Sequence, residues 1–272
     1  SEMKNVRSSI LYRNRFLCMH RSLIMKKYSS FLLFAFFVMA FSACKKETET
    51  YSGLSIQDYA PYQTGKYITY KLDSLVYLSF GTRDTTRSYE VKYVVDSLLT
   101  DNIGNPAYRV FRFIRKQSPD AWVPSGTFWA VDKKNSFEFV ENNMRYIKLE
   151  LPFQNGTTWK GNVYIDTYSL NSEVKYLDDW DYAFEDFAQP ATVGSFSLDN
   201  TITVNQRDEI IGDPADALSY SEVNFGKEIY AKGIGLVYRK FFHSEYQPGT
   251  NGGNGYFADG SYGITLTMID HN

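Results

Sequence analysis

Nucleophilic hydrolysis needs a base beside its nucleophile, usually histidine. Beyond residue 43 the chain has only His243 and His271. His271 is penultimate and reads as frayed. His243 sits in Phe241-Phe242-His243-Ser244-Glu245, where strand neighbours point to opposite faces, so it reads as a surface or strand-end residue rather than half of a catalytic pair. Gly-x-Ser-x-Gly is absent. Zinc would need several His or Cys ligands, which the chain does not supply. Calcium needs only oxygen, and Asp178-Asp179-Trp180-Asp181 with Glu185 and Asp186 is the best cluster for it, but the spacing does not follow an EF-hand. It reads instead as a solvated acidic face opposite Trp180, Tyr182 and Phe184. These residues give no catalytic assignment, no metal site and no cofactor, so the expectation is a protein that is not an enzyme.

The remaining chemistry-bearing patterns are permissive. Pro248-Gly-Thr-Asn-Gly-Gly-Asn-Gly255 lacks the Gly-Lys-Ser/Thr of a phosphate loop and reads as a long hairpin loop. Arg109, Arg112, Arg115 and Lys116 form a basic cluster, but strand alternation separates Arg112 from Arg109 and Arg115, which argues against a nucleic-acid surface. Paired carboxylates for glycoside hydrolysis need a separation that only a fold can set. Trp122 and Trp129, flanking Pro124-Ser-Gly126, are candidates for stacking on a ligand such as a glycan, against the commoner role of strand aromatics as core.

The elements that must position these residues are strands. The chain holds 22 Tyr, 20 Phe and 4 Trp in 272 residues, an aromatic load that favours strands. Period-two alternation runs through Ile68-Tyr70-Leu72 and Tyr89-Val91-Tyr93-Val95, and again at 108–115, 128–131, 137–141, 146–151, 163–168, 180–184, 201–205, 228–231, 236–242 and 262–269. Turn chemistry connects them, as in Asp101-Asn-Ile-Gly-Asn-Pro106 and Asn142-Asn143. With no strand-helix alternation, the expected fold is all-β, a predominantly antiparallel sheet of about a dozen strands with little helix, as a half-barrel, barrel or sandwich. The pattern is weakest over 208–224, where Asp213-Pro214-Ala-Asp-Ala-Leu-Ser219 reads as a short helix or lid-like loop. Pro61-Tyr-Gln-Thr-Gly65 and Pro152-Phe-Gln-Asn-Gly156 echo one another 91 positions apart, marking either two related half-sheets or the same turn used twice.

Ahead of this body lies an address. Phe31–Phe41 is an 11-residue apolar run, too short for a membrane span of roughly 20 residues. A basic Met25-Lys26-Lys27 precedes it and Ser42-Ala43-Cys44 follows, the layout of a signal peptide. The exit resembles a lipobox, with Phe41 in the place usually held by Leu, and implies a thiol at Cys44 that is diacylated. Residues 1–24 then read as an extension upstream of a start at Met25, 25–43 as the lipoprotein signal helix, 44–58 as a flexible tether and 59–272 as a single β domain. Residues 1–43 hold seven of the 29 basic and one of the 31 acidic side chains, leaving residues 44–272 with a net charge of −8. Such a charge disfavours nucleic acid and anionic lipid. The membrane is expected to be reached through the lipid anchor, since two or more acyl chains make attachment durable.

The leader, the Pro-aromatic-Gln-x-Gly lead-ins, the stretch 227–238 and the closing run 262–270 together resemble the uncharacterised β-rich outer-membrane lipoproteins of Bacteroidota. That resemblance carries no active residues. It implies an outer-membrane, lipid-anchored protein on the cell surface or the periplasmic face, where Lys45-Lys46-Glu47 resembles a surface-export signal. Asp73-Ser74-Leu75, Asp84-Thr85-Thr86 and Asp96-Ser97-Leu98 resemble O-glycosylation acceptors of the same envelopes, with Ser74, Thr85 and Ser97 as the modified positions. The expected role is non-catalytic binding or envelope structure, with a glycan or envelope protein as partner. The alternatives are a carboxylate-dependent hydrolase, and an apolar-ligand or lipid carrier whose half-barrel holds a cavity lined by Phe, Tyr and Ile. Mass spectrometry of the membrane fraction should find the peptide beginning at Cys44 carrying acyl chains; an unmodified thiol on a cytosolic chain would refute the anchor.

Overall fold

The computed structural model describes residues 53–272. A four-residue helix, α1 (Ile56–Tyr59), precedes thirteen strands: β1 (Tyr67–Leu78), β2 (Arg83–Thr100), β3 (Pro106–Arg115), β4 (Val123–Asp132), β5 (Ser136–Glu141), β6 (Met144–Glu150), β7 (Thr158–Lys160), β8 (Asp181–Val193), β9 (Phe196–Gly212), β10 (Ser221–Ala231), β11 (Gly235–Gln247), β12 (Tyr256–Phe257) and β13 (Tyr262–His271). They form one antiparallel sheet in the order β6-β5-β4-β3-β2-β1-β13-β11-β10-β9-β8-β7, with β12 pairing the end of β11. The sheet is thus two six-strand meanders, β1–β6 and β7–β13, joined where β1 pairs β13.

Its two edge strands, β6 and β7, are consecutive in sequence, so closing the sheet brings them together. The Ile147 N–H donates to the Gly161 carbonyl at 2.8 Å, and the Trp159 indole Nε1–H donates to the Ile147 carbonyl at 2.8 Å. These bonds satisfy backbone groups that an open edge would leave unpaired. Of the three architectures open to the sequence, the barrel, nearly closed, is the one formed.

Turn chemistry explains the connections. Asn142 and Asn143, at φ 52° and 62°, make the β5–β6 hairpin in the left-handed conformation that Asn tolerates. The Asp101 carboxylate accepts the N–H groups of Ile103 and Asn105 between β2 and β3. The two lead-ins form the same turn. Gly65 N–H donates to Val95 O, and Val95 N–H to Lys66 O; Gly156 N–H donates to Phe184 O, and Phe184 N–H to Thr157 O. Each sets the start of the first strand of its meander against the second, and both glycines sit at positive φ, 91° and 82°.

Two readings of the sequence need correction. Residues 163–168 form turns, not a strand, because the Asp166 carboxylate draws in the N–H groups of Tyr168 and Ser169 and bends the chain. Residues 213–219 form a turn-rich loop and not a helix, and the stretch around them is strand: β9 runs on to Gly212 and β10 begins at Ser221, paired Glu222↔Ile211 through Asn224↔Glu209. The end of β9, from Asp208 to Gly212, is mostly exposed, so no buried face imposes on it the alternation by which a strand is recognised. The core also reaches further back than residue 59, because Ile56 packs with Tyr59 and Phe153. The anticipated signal helix and most of the tether lie outside the described residues.

The core is aromatic. Tyr59 meets Phe153 edge-on at 5.0 Å, Phe153 meets Phe184 at 5.5 Å, and Trp159 packs on Phe184 at 4.5 Å. Trp159→Phe should lose the indole bond across the seam while keeping an aromatic ring, costing about 1 kcal/mol for the bond and more for the lost volume. Hydrogen exchange should quicken at Ile147 while amides in β10 stay protected.

Candidate functional site

The barrel encloses a cavity of about 80 Å³. Its walls include Tyr62, Tyr70, Tyr93, Phe137, Phe139 and Ile68, and four ionisable side chains reach it: Glu141 from β5, Lys148 from β6, Glu228 from β10 and Arg239 from β11. Lys66, Ile234 and the exposed Asn272 mark its opening near α1.

The four charges form two pairs that join the two meanders. Lys148 Nζ donates to Glu228 Oε1 at 2.8 Å, and Arg239 Nη1 lies 2.8 Å from Glu141 Oε1. Glu228 and Arg239 face each other in register on neighbouring strands. There Arg239 Nε, 3.5 Å from Glu228 Oε1, is buried and has no hydrogen-bond partner among the described residues. Tyr230 donates its hydroxyl to Glu228 Oε2 at 2.6 Å, and the Tyr70 hydroxyl donates to the Leu236 carbonyl at 2.7 Å. Burial pushes the Glu228 carboxyl up, but Lys148 and Arg239 more than offset it and hold the group below its usual range. Burial draws the Lys148 ammonium down against the attraction of Glu228. Arg239 stays charged because Glu141 and Glu228 outweigh its desolvation. Glycoside hydrolysis requires one carboxyl with a raised pKa to act as the acid. Glu228, shifted the other way and bound to a cation, is unsuited to that role.

The residues singled out in the sequence lie elsewhere. Trp122 lies beneath Arg115, whose guanidinium is 4.3 Å from the ring and pairs with Glu90 at 2.6 Å. Trp129 is partly exposed and faces Arg109 and Val140 in register. The two tryptophans belong to separate surroundings, and neither lines the cavity. Ser74 and Thr85 sit within paired strands opposite Arg87 and Val76. Ser97 lies opposite Arg109 with its Oγ buried. Cys44 lies outside the described residues. Of the acidic run, Asp179 and Asp181 share Lys160, and Asp178 accepts from Thr167 at 2.7 Å, while Trp180, Tyr182 and Phe184 on the other side are buried. Among the described residues no group of three or more His, Cys, Asp or Glu is placed to hold a metal.

His243 corrects its reading. It lies inside β11, is buried, and stacks on Tyr176 at 3.7 Å. Its Nδ1 is 2.8 Å from Asn224 Oδ1, and Asn224 in turn donates to Glu222 and Glu209. Burial lowers its pKa, so the ring is neutral at neutral pH. This imidazole bonds to an amide rather than activating a nucleophile.

The cavity charges went unmarked in the sequence, although a signal exists. Val237, Arg239 and Phe241 share one strand parity, as do Phe137, Phe139 and Glu141, so each charge falls in line with residues that are buried or face the cavity.

No protein-family model matches this chain, and no curated protein matches it. Among solved structures it is similar to a chain from Bacteroides fragilis titled "putative exported protein with YmcC-like fold", at 12% identity and a TM-score of 0.35, covering 78% of this chain and 99% of the other. The site defined by these residues is that of an antiparallel meander barrel with an ion-paired interior.

Stability should depend on Glu228 in a signed way. Its folded pKa lies below the ordinary carboxylate value, so its contribution is present above about pH 4.5 and is lost as pH falls through the folded pKa. Glu228→Gln strands Lys148 beside a neutral amide and should cost about 3–5 kcal/mol at pH 7. In melting experiments the gap between wild type and Glu228→Gln should narrow below pH 4.5.

Proposed function

We propose that the chain is a lipid-anchored envelope protein, held in the membrane through acylated Cys44, whose barrel binds a small ligand without transforming it. The observation that carries this reading is the cavity itself. Aromatic walls meet a floor of paired charges, an arrangement typical of sites that fix a ligand's orientation with few polar groups. The cavity is smaller than the roughly 150 Å³ apolar void that accepts a benzene-sized guest, which favours a compact molecule over an acyl chain. A polar guest would meet the paired charges of Glu141, Lys148, Glu228 and Arg239 that line the cavity. The pairing of the interior charges and the amide-bound His243 support a non-catalytic role. An extracytoplasmic glycan or envelope component remains the proposed source of the ligand.

Tyr62, Phe137 and Phe139 also support a carrier of small apolar guests, since rings form much of the wall. Native mass spectrometry of protein purified from its own envelope distinguishes the readings. A bound polar species supports the first and a hydrocarbon the second. Ile234→Trp, at the opening, should abolish the adduct while leaving the melting temperature within a few degrees. A chain that never carries a small molecule would refute both.

A further inference from the structure

The far end of the barrel carries a feature that the cavity does not explain. The register row Val76–Tyr262–His243–Asn224–Glu209 places the β1–β2 turn and the β9–β10 tip at the same end. The 161–180 segment reaches that end too, since Tyr176 stacks on His243. At the opposite end, Gly233 N–H donates to Asp58 O and holds α1.

Three of the loops at the far end, the β1–β2 turn, residues 161–180 and the β9–β10 tip, each raise an apolar side chain into solvent: Phe80 is 95% exposed, Leu170 93% and Leu218 89%. Tyr164, Tyr168 and Tyr220 are also exposed on the last two. Phe80 is the most telling. It stands at φ 57°, next to Ser79 at φ 52°, in a conformation that Asn or Gly would adopt at lower cost, and its ring is almost wholly in solvent. The domain gains no packing from that ring. Several backbone donors at the tips are satisfied within their own loops: Leu218 N–H by Asp216, Tyr168 and Ser169 N–H by Asp166, and Thr82 N–H by Ser79. Each such bond lowers the cost of bringing that part of the loop to an apolar boundary.

We propose that this end docks on a zwitterionic lipid surface, with Phe80, Leu170 and Leu218 entering the acyl boundary and the tyrosines resting at headgroup level. Three separate fingers fit a fluid interface better than a protein partner, which would require a continuous patch of roughly 800 Å². Tyrosine belongs at the boundary where one end of the ring is apolar and the other wet. Charge selects the lipid: in the two longer loops Asp166, Glu173, Asp178, Asp179, Asp213 and Asp216 outnumber Lys175, a balance that disfavours an anionic bilayer.

The test uses the full chain with Cys18 and Cys44 changed to Ser and one new cysteine, in turn Phe80→Cys, Leu170→Cys, Leu218→Cys or Ile103→Cys, each labelled with an environment-sensitive fluorophore. Ile103 is 78% exposed on the β2–β3 turn, at the other end, and serves as control. With phosphatidylcholine/phosphatidylethanolamine vesicles, the three tip labels should brighten at least twofold and shift to the blue, the label at position 103 should not, and adding phosphatidylglycerol should weaken the response. Silent tips, or an equal response at position 103, would overturn the proposal. So would a tip response that follows protein concentration without vesicles, which would assign the surface to a second copy of the chain.

Discussion

Two charge pairs spanning the interior constrain this barrel more than any other contact. Lys148 and Glu141 come from the first meander, Glu228 and Arg239 from the second, and each bond joins residues about 80 to 100 positions apart. Burying four charges is expensive, and an apolar replacement of equal volume would often be as stable. What the ions add is selectivity of arrangement. A cation on β6 must find an anion on β10, so a barrel closed in another register would leave charges unpaired in a medium that cannot solvate them.

The meanders are alike in construction. Each has six strands, and each begins with a Pro-aromatic-Gln-x-Gly turn whose glycine bonds to the second strand in the same pattern. The aromatic of the turn has diverged in use. Tyr62 stacks on Phe137 at 5.0 Å and lines the cavity, whereas Phe153 is sealed in the core against Tyr59 and Phe184. The first turn thus offers a phenol to the cavity where the second offers only hydrocarbon to the core.

Much of this architecture was legible in the sequence. Strand alternation, turn residues and the absence of helical periodicity led to an antiparallel sheet of the right size, because each follows from local chemistry. Where the reading failed, local chemistry pointed elsewhere. Val163-Tyr164-Ile165 looks like a strand until Asp166 bends the chain, and the end of β9, Asp208 to Gly212, is mostly exposed and so has no alternation to read. The cavity was harder still. Arg239 is one charge among many along the chain, and only the closed sheet shows that Glu228 lies beside it and Glu141 opposite. Trp122 and Trp129 drew attention by residue type, yet pairing assigns one to an ion pair and the other to the outer wall.

The pairing of β1 with β13 has a consequence for how the chain is made. β1 leads the sheet in chain order, yet one of its two partners, β13, is made only after every other strand of the sheet. Until β13 arrives, an amphipathic edge stands open and the cylinder has no lock. Contacts between strands so far apart in sequence form slowly. A polypeptide built this way stays pliable until its thirteenth strand has been added.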